Sequence, residues 1–454
     1  MSRPDTSDRG ALTAEAQTAE AMAHHQAGRL AEAEAGYKAV LQIAPDDAGI
    51  LHNLGVLTAE TGRLREAVGY FDRAIAAGPG YASAYFNKAN ALRALGKTTA
   101  ALENYRQTVS LEPGHYDAHL ALGYLWHEAG RRDRAMDHFA RTFELRRGDD
   151  RTGIADYSLT HATQAKLRHD AEQFRHIART HREGPRFELL ARTYESVAKR
   201  IGGESNENSD VPLSGDQLAE LGESYNTPYH VIAAPEFLPG ALNPALDFPD
   251  LSQRHEASAP GLVWFDDLLT PKALGLLQRF LLESTIWYDF SHIGGCLAAY
   301  LEDGLACPLI LQIADEMRAG FSGILKDRPL AQIWAFKGIE AGRGIDVHAD
   351  DGAVSVNFWV TADNANTDPD RGGLIVYRKE PPPDWRISDY KSDVASIRAY
   401  LGNDEKDRTV IPYRENRAVL FDSRLFHESD TVQFQLGYEN QRINITMLFG
   451  QRAG

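Results

Sequence analysis

Cysteine is nearly missing from this chain, with 2 among 454 residues, Cys296 and Cys307. Two thiols are too few for a disulfide framework or a cysteine-based zinc site, so stapled secreted modules and zinc fingers are excluded. Both read as ordinary packed thiols. Long apolar runs are missing as well. A stretch such as GLVWF falls far short of the ~20 residues that a membrane-spanning helix requires. The opening MSRPDTSDRGALTAEA is polar and lacks the apolar centre of a secretory leader, so a reducing cytoplasm is the expected location. Positive charge is in deficit: 48 Lys and Arg stand against 64 Asp and Glu, for a net charge of −16. That argues against a nucleic-acid partner, which needs a basic face to displace counterions. One basic stretch runs against the trend, with Lys166, Arg168, Arg175, Arg179, Arg182 and Arg186. A solvated helix face is the expectation there. With 43% hydrophobic residues and length for two or three domains, the chain reads as globular.

What is present, first, is a period. Proline recurs every 34 residues at Pro45, Pro79 and Pro113. Glycine keeps the same spacing at Gly28, Gly62, Gly96 and Gly130, and alanine at Ala33, Ala67, Ala101 and Ala135. An aromatic stands four residues after each alanine: Tyr37, Phe71, Tyr105 and Phe139. The physics describes a helix–turn–helix unit. Glycine closes the first helix, alanine lets two helices approach, the aromatic fills the space on the same face, and proline ends the unit. The register resembles the tetratricopeptide repeat, with four units over residues 14–147. LHNLGVLTAETGRLREAVGYFDRAIAAGP carries the pattern most fully, through Leu54, Gly55, Ala67, Phe71, Ala74 and Pro79. The end units depart from it, with Ala21 in place of the helix glycine and Arg147 in place of the last proline, as expected of the ends of a solenoid. The resemblance implies a groove that binds a polypeptide or protein partner, and an oligomer is compatible with it.

Residues 148–201 still read as helical but out of register, as additional capping helices. The polar GGESNENSD falls in an expected linker over 202–225, and residues 1–13 read as a flexible N-terminus. From 226 to 454 the texture changes. Thr270–Pro271 marks a helix start, and a second helix follows around CPLILQIADEMRAGFSGIL. Strands are expected at LAQIWAFKGI, AVSVNFWVT, GGLIVYR, RAVLFDS and RINITMLFG. Helices followed by many short strands point to a sandwich or barrel with helices outside.

At the mouth of one such strand lies VHADDGAVSVNFWVT. Residues i and i+2 share a strand face, so His348 and Asp350 point together and Asp351 points away. Asp346 shares the face of His348 and competes as a ligand. His427, after the strand in LFDSRLFHESD, supplies a third donor. Two histidines and one carboxylate leave open positions on a metal, the arrangement of non-haem Fe(II) oxygenases. Arg442 on RINITM suits a carboxylate, because its planar fork grips two oxygens. Asn444 and Thr446 share its face, and Asn357 and Trp359 lie on the strand after the HxD. An ion-pair role for Arg442, and plain packing for Asn357 and Trp359, remain open, and Lys337 and Arg343 are the alternative cations.

VHAD, RGGLIVY, RAVLFDSRLFH and QRINITMLFG together resemble the core of the Fe(II)/2-oxoglutarate-dependent dioxygenases, near the prolyl-hydroxylase-like branch. The resemblance implies a multidomain chain: an all-α repeat solenoid followed by a double-stranded β-helix, or jelly roll, with flanking helices. It implies His348, Asp350 and His427 as iron ligands, Arg442 for 2-oxoglutarate, and Asn444, Thr446 and Asn357 beside it. The cofactors implied are Fe(II), 2-oxoglutarate and O2, with ascorbate as a compatible reductant. Oxidative decarboxylation to succinate would be coupled to hydroxylation, of a polypeptide if the repeats select the substrate. Rival readings are a small-molecule oxygenase whose repeats serve assembly, a scaffold with a vestigial pocket, and a nucleic-acid demethylase, which the charge disfavours. The gap from His427 to Arg442 is longer than usual for the family, so QFQLGYENQ is expected to be a lengthened hairpin. Two insertions, FWVTADNANTDPDRGG and KEPPPDWRISDYKSDVASIRAYLGNDEKDR, are expected as lids or substrate walls.

Overall fold

The structure is a computed structural model that describes residues 6–148, 156–202, 207–291, 295–339, 344–402 and 407–451. The chain forms two compact units, Met1–Ala129 and Gly130–Gly454.

The first unit is all helix: α1 (Thr6–Gln26), α2 (Leu30–Ile43), α3 (Ala48–Glu60), α4 (Leu64–Ala77), α5 (Ala82–Ala94), α6 (Thr98–Leu111) and α7 (Tyr116–Glu128). Helices pair as α1/α2, α3/α4 and α5/α6, and successive pairs stack. Each pair turns at a glycine with positive φ: Gly28 at 71°, Gly62 at 78° and Gly96 at 72°. Only glycine adopts that region without strain. Ala33, Ala67 and Ala101 are fully buried, and Tyr37, Phe71 and Tyr105 fill the core between helices. A Cβ on Gly55 would meet the Phe71 ring at 2.6 Å, so glycine here is a packing requirement. In the first pair the close approach lies instead between Gly36 and Ala21, where a Cβ would come within 2.7 Å.

The second unit opens with Gly130 (φ 70°) and α8 (Arg132–Arg147). Arg147, at the expected proline position, is buried. Its guanidinium pairs with Asp156 at 3.0 Å and Asp303 at 3.2 Å and lies 4.5 Å from the centre of the Tyr288 ring. A two-residue ladder joins β1 (His161–Ala162) to β2 (Val211–Pro212). Between them α9 (Gln164–Thr180) and α10 (Gly184–Ile201) pack as a pair around Phe174, Phe187, Ala191 and Tyr194. The basic stretch lies along α9 and the start of α10, and it is not simply a solvated face. Lys166 is buried against Asp170, while Arg168 pairs with Glu207, Arg175 with Glu195 and Arg179 with Glu439. The amphipathic face of α9 forces Lys166 inward, while Arg168, Arg179, Arg182 and Arg186 stay exposed as a solvated face would have them.

Then follow α11 (Gly215–Leu221), α12 (Phe248–Ala257), β3 (Leu262–Phe265) and α13 (Pro271–Glu283). Thr270 caps α13 by accepting from the Ala273 N–H, with Pro271 in the first turn. The remaining elements are β4 (Cys296–Tyr300), α14 (Pro308–Gly320), α15 (Ser322–Leu325), β5 (Leu330–Gly338), β6 (Gly352–Trp359), β7 (Leu374–Tyr377), α16 (Ile387–Lys391), α17 (Val394–Leu401), β8 (Arg408–Ile411), β9 (Ala418–Asp422), β10 (His427–Ser429) and β11 (Ile443–Gln451). Six strands form one antiparallel sheet in the order β3-β9-β6-β11-β5-β4, and three form another, β10-β7-β8. Trp359, Val419 and Phe421 of the larger sheet share a core with Leu374, Val376 and Ile411 of the smaller one. The unit is therefore β-rich, with two antiparallel sheets joined through an apolar layer. Among the described residues, no helix is long and apolar enough to cross a membrane.

Candidate metal centre

His348 and His427 come from distant stretches and meet as a backbone pair. Each N–H donates to the other's carbonyl, at 3.0 Å and 2.8 Å. The chain then crosses toward the larger sheet, and the Asp350 N–H donates to the Ser423 carbonyl at 3.0 Å. His348 and Asp350 thus precede β6 and are not strand residues. Their convergence comes from these cross-chain bonds, not from strand alternation. The result is a three-donor cluster: one atom each from His348, Asp350 and His427, all within 4.8 Å of one another. His348 Nε2 lies 3.7 Å from one Asp350 oxygen and His427 Nε2 3.6 Å from the other.

The surroundings orient every donor. His348 Nδ1 lies 2.8 Å from the Asp346 carbonyl and His427 Nδ1 3.0 Å from that of Leu425. Each Nδ1 therefore carries the proton, and each Nε2 lone pair is turned to the cluster. Burial pushes the His427 pKa down to about 4, with the nearby His348 adding to the shift, so the ring is neutral and ready to ligate at pH 7. Ser355 donates to Asp350 Oδ2 at 2.7 Å, and its oxygen also lies 2.8 Å from Ser423 Oγ. Asp346 is exposed and contributes its carbonyl, not its carboxylate, to this arrangement. Asp351 is also exposed and accepts from the Tyr390 hydroxyl at 3.2 Å. Two imidazoles and one carboxylate, without sulfur, fit a borderline divalent metal such as Fe(II).

A small, partly open cavity lies beside the cluster. Strand register lays its inner wall out as rows: Trp334, Thr446 and Asn357 stand across from one another, then Phe336, Asn444 and Trp359. Thr446 donates to Asn357, and Asn444 lies 3.4 Å from Thr446. At the far end is Arg442, fully inside. Its Nε donates to the Gly372 carbonyl at 2.8 Å and Nη2 to that of Gly373 at 3.2 Å. The Gly-Gly pair permits this approach: Gly372 has φ 83°, and a Cβ on Gly373 would strike the Ile411 carbonyl. No carboxylate among the described residues forms an ion pair with Arg442, and desolvation lowers its pKa. A buried guanidinium without an acid partner is suited to an anionic ligand. Two further donors are unmet: the indole N–H groups of Trp334 and Trp359 line this cavity without a hydrogen-bond partner in the protein. Buried indole N–H groups normally have one, so a ligand acceptor fits here too.

The structure thus brings His348, Asp350, His427, Asn357, Arg442, Asn444 and Thr446 to one cavity. Lys337 does not join them. It faces the reverse of the larger sheet, with its ammonium 3.2 Å from the centre of the Tyr438 ring. Arg343 lies outside the described residues. QFQLGYENQ is not a hairpin: it turns through a short 3-10 helix, Tyr438–Asn440, which buries Tyr438 against Lys337. The first insertion is pinned by backbone bonds, Thr367 N–H to Gln433 and Gln435 N–H to Ala365. The second packs α16 and α17 on the outer face of the smaller sheet, and none of its described residues lines the cavity. Apolar Trp385, Tyr390, Ile397 and Leu401 drive that docking, so the expected lid is a buttress. Sequence reasoning missed Ser355, although it alternates with Asn357 and Trp359 on one strand face. It also missed Ser423, which carries no local signal.

Residues 24–92 and 86–149 each match a family model described as tetratricopeptide repeat. The N-terminal helices are tetratricopeptide repeats. No curated protein matches the chain. Among solved structures, the chain is similar to MamA, at 24% identity over 28% of this chain and 75% of that one, with a TM-score of 0.27. It is similar to a mutant of the O-GlcNAc transferase of Thermobaculum terrenum, at 30% identity over 32% of this chain and 28% of that one, TM-score 0.28. It is also similar to the first repeat domain of Spaghetti bound to an HSP90 peptide, at 20% identity over 26% of this chain and 93% of that one, TM-score 0.25.

Proposed function

We propose that residues 226–454 are a non-haem Fe(II)- and 2-oxoglutarate-dependent oxygenase of the double-stranded β-helix type, which hydroxylates a polypeptide held by the repeats. The carrying observation is the three-donor cluster of His348, Asp350 and His427 within 4.8 Å. In this reading those residues hold Fe(II), and Arg442 binds the far carboxylate of 2-oxoglutarate with Asn444, Thr446 and Asn357 around it. When bound, the iron supplies oxidative chemistry that couples decarboxylation of 2-oxoglutarate, with O2, to hydroxylation of a C–H bond.

The chain's own residues do the rest. The Asp346 and Leu425 carbonyls hold both imidazoles in the ligating tautomer. Ser355 holds one carboxylate oxygen of Asp350. The Gly372 and Gly373 carbonyls occupy one edge of the Arg442 guanidinium, leaving Nη1, 3.4 Å from Asn444 Oδ1, for the ligand. Trp334, Phe336 and Trp359 wall the cavity with aromatic rings. Repeats of this kind are protein-interaction modules, which supports a polypeptide substrate or partner, and the reading takes the chain to act in the cytoplasm. The test is conversion of 2-oxoglutarate to succinate by the full chain with Fe(II) and O2. Succinate no higher than in an iron-only blank overturns the reading.

A further inference from the structure

The segment between β7 and β9 touches both stretches that carry the cluster, and it does so from outside the cavity. Tyr390 accepts the backbone N–H of Ala349, the residue between His348 and Asp350, at 3.0 Å. Trp385 and Tyr400 pack against Phe426, the residue before His427, each with ring centres 6.1 Å apart. The residue after His427 is Glu428, whose carboxylate reaches this segment. There it meets Arg398 of α17, whose two terminal nitrogens each take one carboxylate oxygen, with Nη1 at 2.8 Å from Oε1. Tyr377 donates to the same Oε1 and receives a bond from Arg398 at 3.2 Å. Glu428 is largely buried while Arg398 is half-exposed, and the two-pronged bond fixes the carboxylate from its outer side.

β10 has only three residues, His427–Ser429, so a clamp on Glu428 acts directly beside His427 and adds to the His348 backbone bonds and the Leu425 carbonyl that already hold it. Turning Glu428 turns the neighbouring histidine with it, because successive strand side chains are set by one backbone. We propose that Arg398 is a positioning residue for the metal centre: by clamping Glu428 from behind the smaller sheet, it sets the direction in which His427 presents its Nε2. The inserted segment is then a brace for the ligands, and its docking on the sheet governs metal affinity.

This inference rests on the oxygenase reading, and the experiment separates the two. Mn(II) binding to the full chain, followed by calorimetry, is compared across variants, with Co(II) absorption as a report on ligand geometry. Wild type binds Mn(II). Arg398→Met weakens binding roughly tenfold, the size typical of losing an outer-shell partner, and alters the Co(II) spectrum. Arg398→Lys, which keeps the charge, recovers part of the affinity. Lys379→Met, which removes another ion pair of the same segment, to Asp407 at 3.6 Å, leaves metal binding unchanged. Glu428→Gln, which keeps hydrogen-bonding atoms but loses the charge, falls between wild type and Arg398→Met, and guards against a variant that fails to fold. Wild-type affinity and spectrum in folded Arg398→Met overturn the brace while leaving the oxygenase reading intact. Equal loss in Lys379→Met also overturns it, by showing general loosening of the segment. Failure of wild type to bind Mn(II) overturns the oxygenase reading itself.

Discussion

The repeats and the metal centre are built by opposite methods. In the repeats one solution recurs: a glycine at φ near 70° to 78°, a fully buried alanine and a buried aromatic, at every unit. Each contact is local, and the same residue type does the same work three or four times. In the β-rich unit nothing recurs. His348 and His427 are far apart in sequence and meet through one reciprocal pair of backbone bonds, and Asp350 is aimed by its backbone bond to Ser423 and by the Ser355 hydroxyl. The first method is redundant and tolerant. The second places a whole function on single side chains, each with one set of supports.

The sharpest break in that comparison comes at the ligands. His348→Ala, Asp350→Ala and His427→Ala should each abolish metal-dependent 2-oxoglutarate turnover, whereas exposed Asp351→Ala should leave it nearly intact. Succinate formation measures this, and full activity in any of the three would refute the cluster. Next in size is Arg442→Ala, expected to weaken 2-oxoglutarate binding by about 1.5–3 kcal/mol, roughly tenfold to a hundredfold, with metal still bound. Trp359→Phe, which removes the unpaired N–H together with part of the indole ring, should weaken it severalfold. Calorimetric titration of 2-oxoglutarate into the Mn(II)-loaded protein reads both.

In the repeats the expected losses are of stability. Gly55→Ala drives a Cβ into the Phe71 ring and should cost about 1–3 kcal/mol. Gly62→Ala has open space around it but strained φ, and should cost roughly 1–2 kcal/mol. Chemical denaturation distinguishes the two, and neither should alter metal affinity. Acid offers another contrast. Burial lowers His169 to about 3 and His427 to about 4, both in the β-rich unit. Their folded pKa values lie below the unfolded value near 6.5, so the unfolded state takes up protons first as pH falls. Their stabilisation is present above pH 6.5 and drains away toward pH 3. A pH series of thermal melts on the metal-free chain should show this, and His169→Gln should flatten it. The smallest effect belongs to the repeat surface. Asn53 of α3, Asn87 of α5 and His119 of α7 are polar residues in the first helix of each unit, the helices expected to line the groove, and alanine at all three should lower substrate-dependent turnover severalfold while substrate-independent decarboxylation persists. Equal loss of both would make the repeats a scaffold for the oxygenase instead.

How much of this was legible in the sequence follows from the same contrast. The repeat helices could be read almost residue by residue, because periodic spacing reports local geometry directly. Of the seven residues placed at the cavity, Asn357, Asn444 and Thr446 could be gathered from strand alternation, whereas His348 and Asp350 precede β6 and are legible through the resemblance. What could not be read lay in long-range pairing. Cys296–Tyr300 and Arg408–Ile411 are strands because β5 and β7 stand beside them, not because their own patterns say so. Lys337 seemed a rival to Arg442 until register put it on the other face, opposite Ile443. The insertion looked like a lid by length alone, whereas Trp385, Ile397 and Leu401 make it a packed layer.

Arg147 stands where the earlier repeats have proline, and it is locked between Asp156 and Asp303. A proline end leaves a repeat open to another copy of itself. A buried arginine held by two carboxylates does not, because adding a unit after α8 would strand those charges without their partner. A unit added before Gly130 would leave these pairs undisturbed, because each repeat there answers to its neighbours alone.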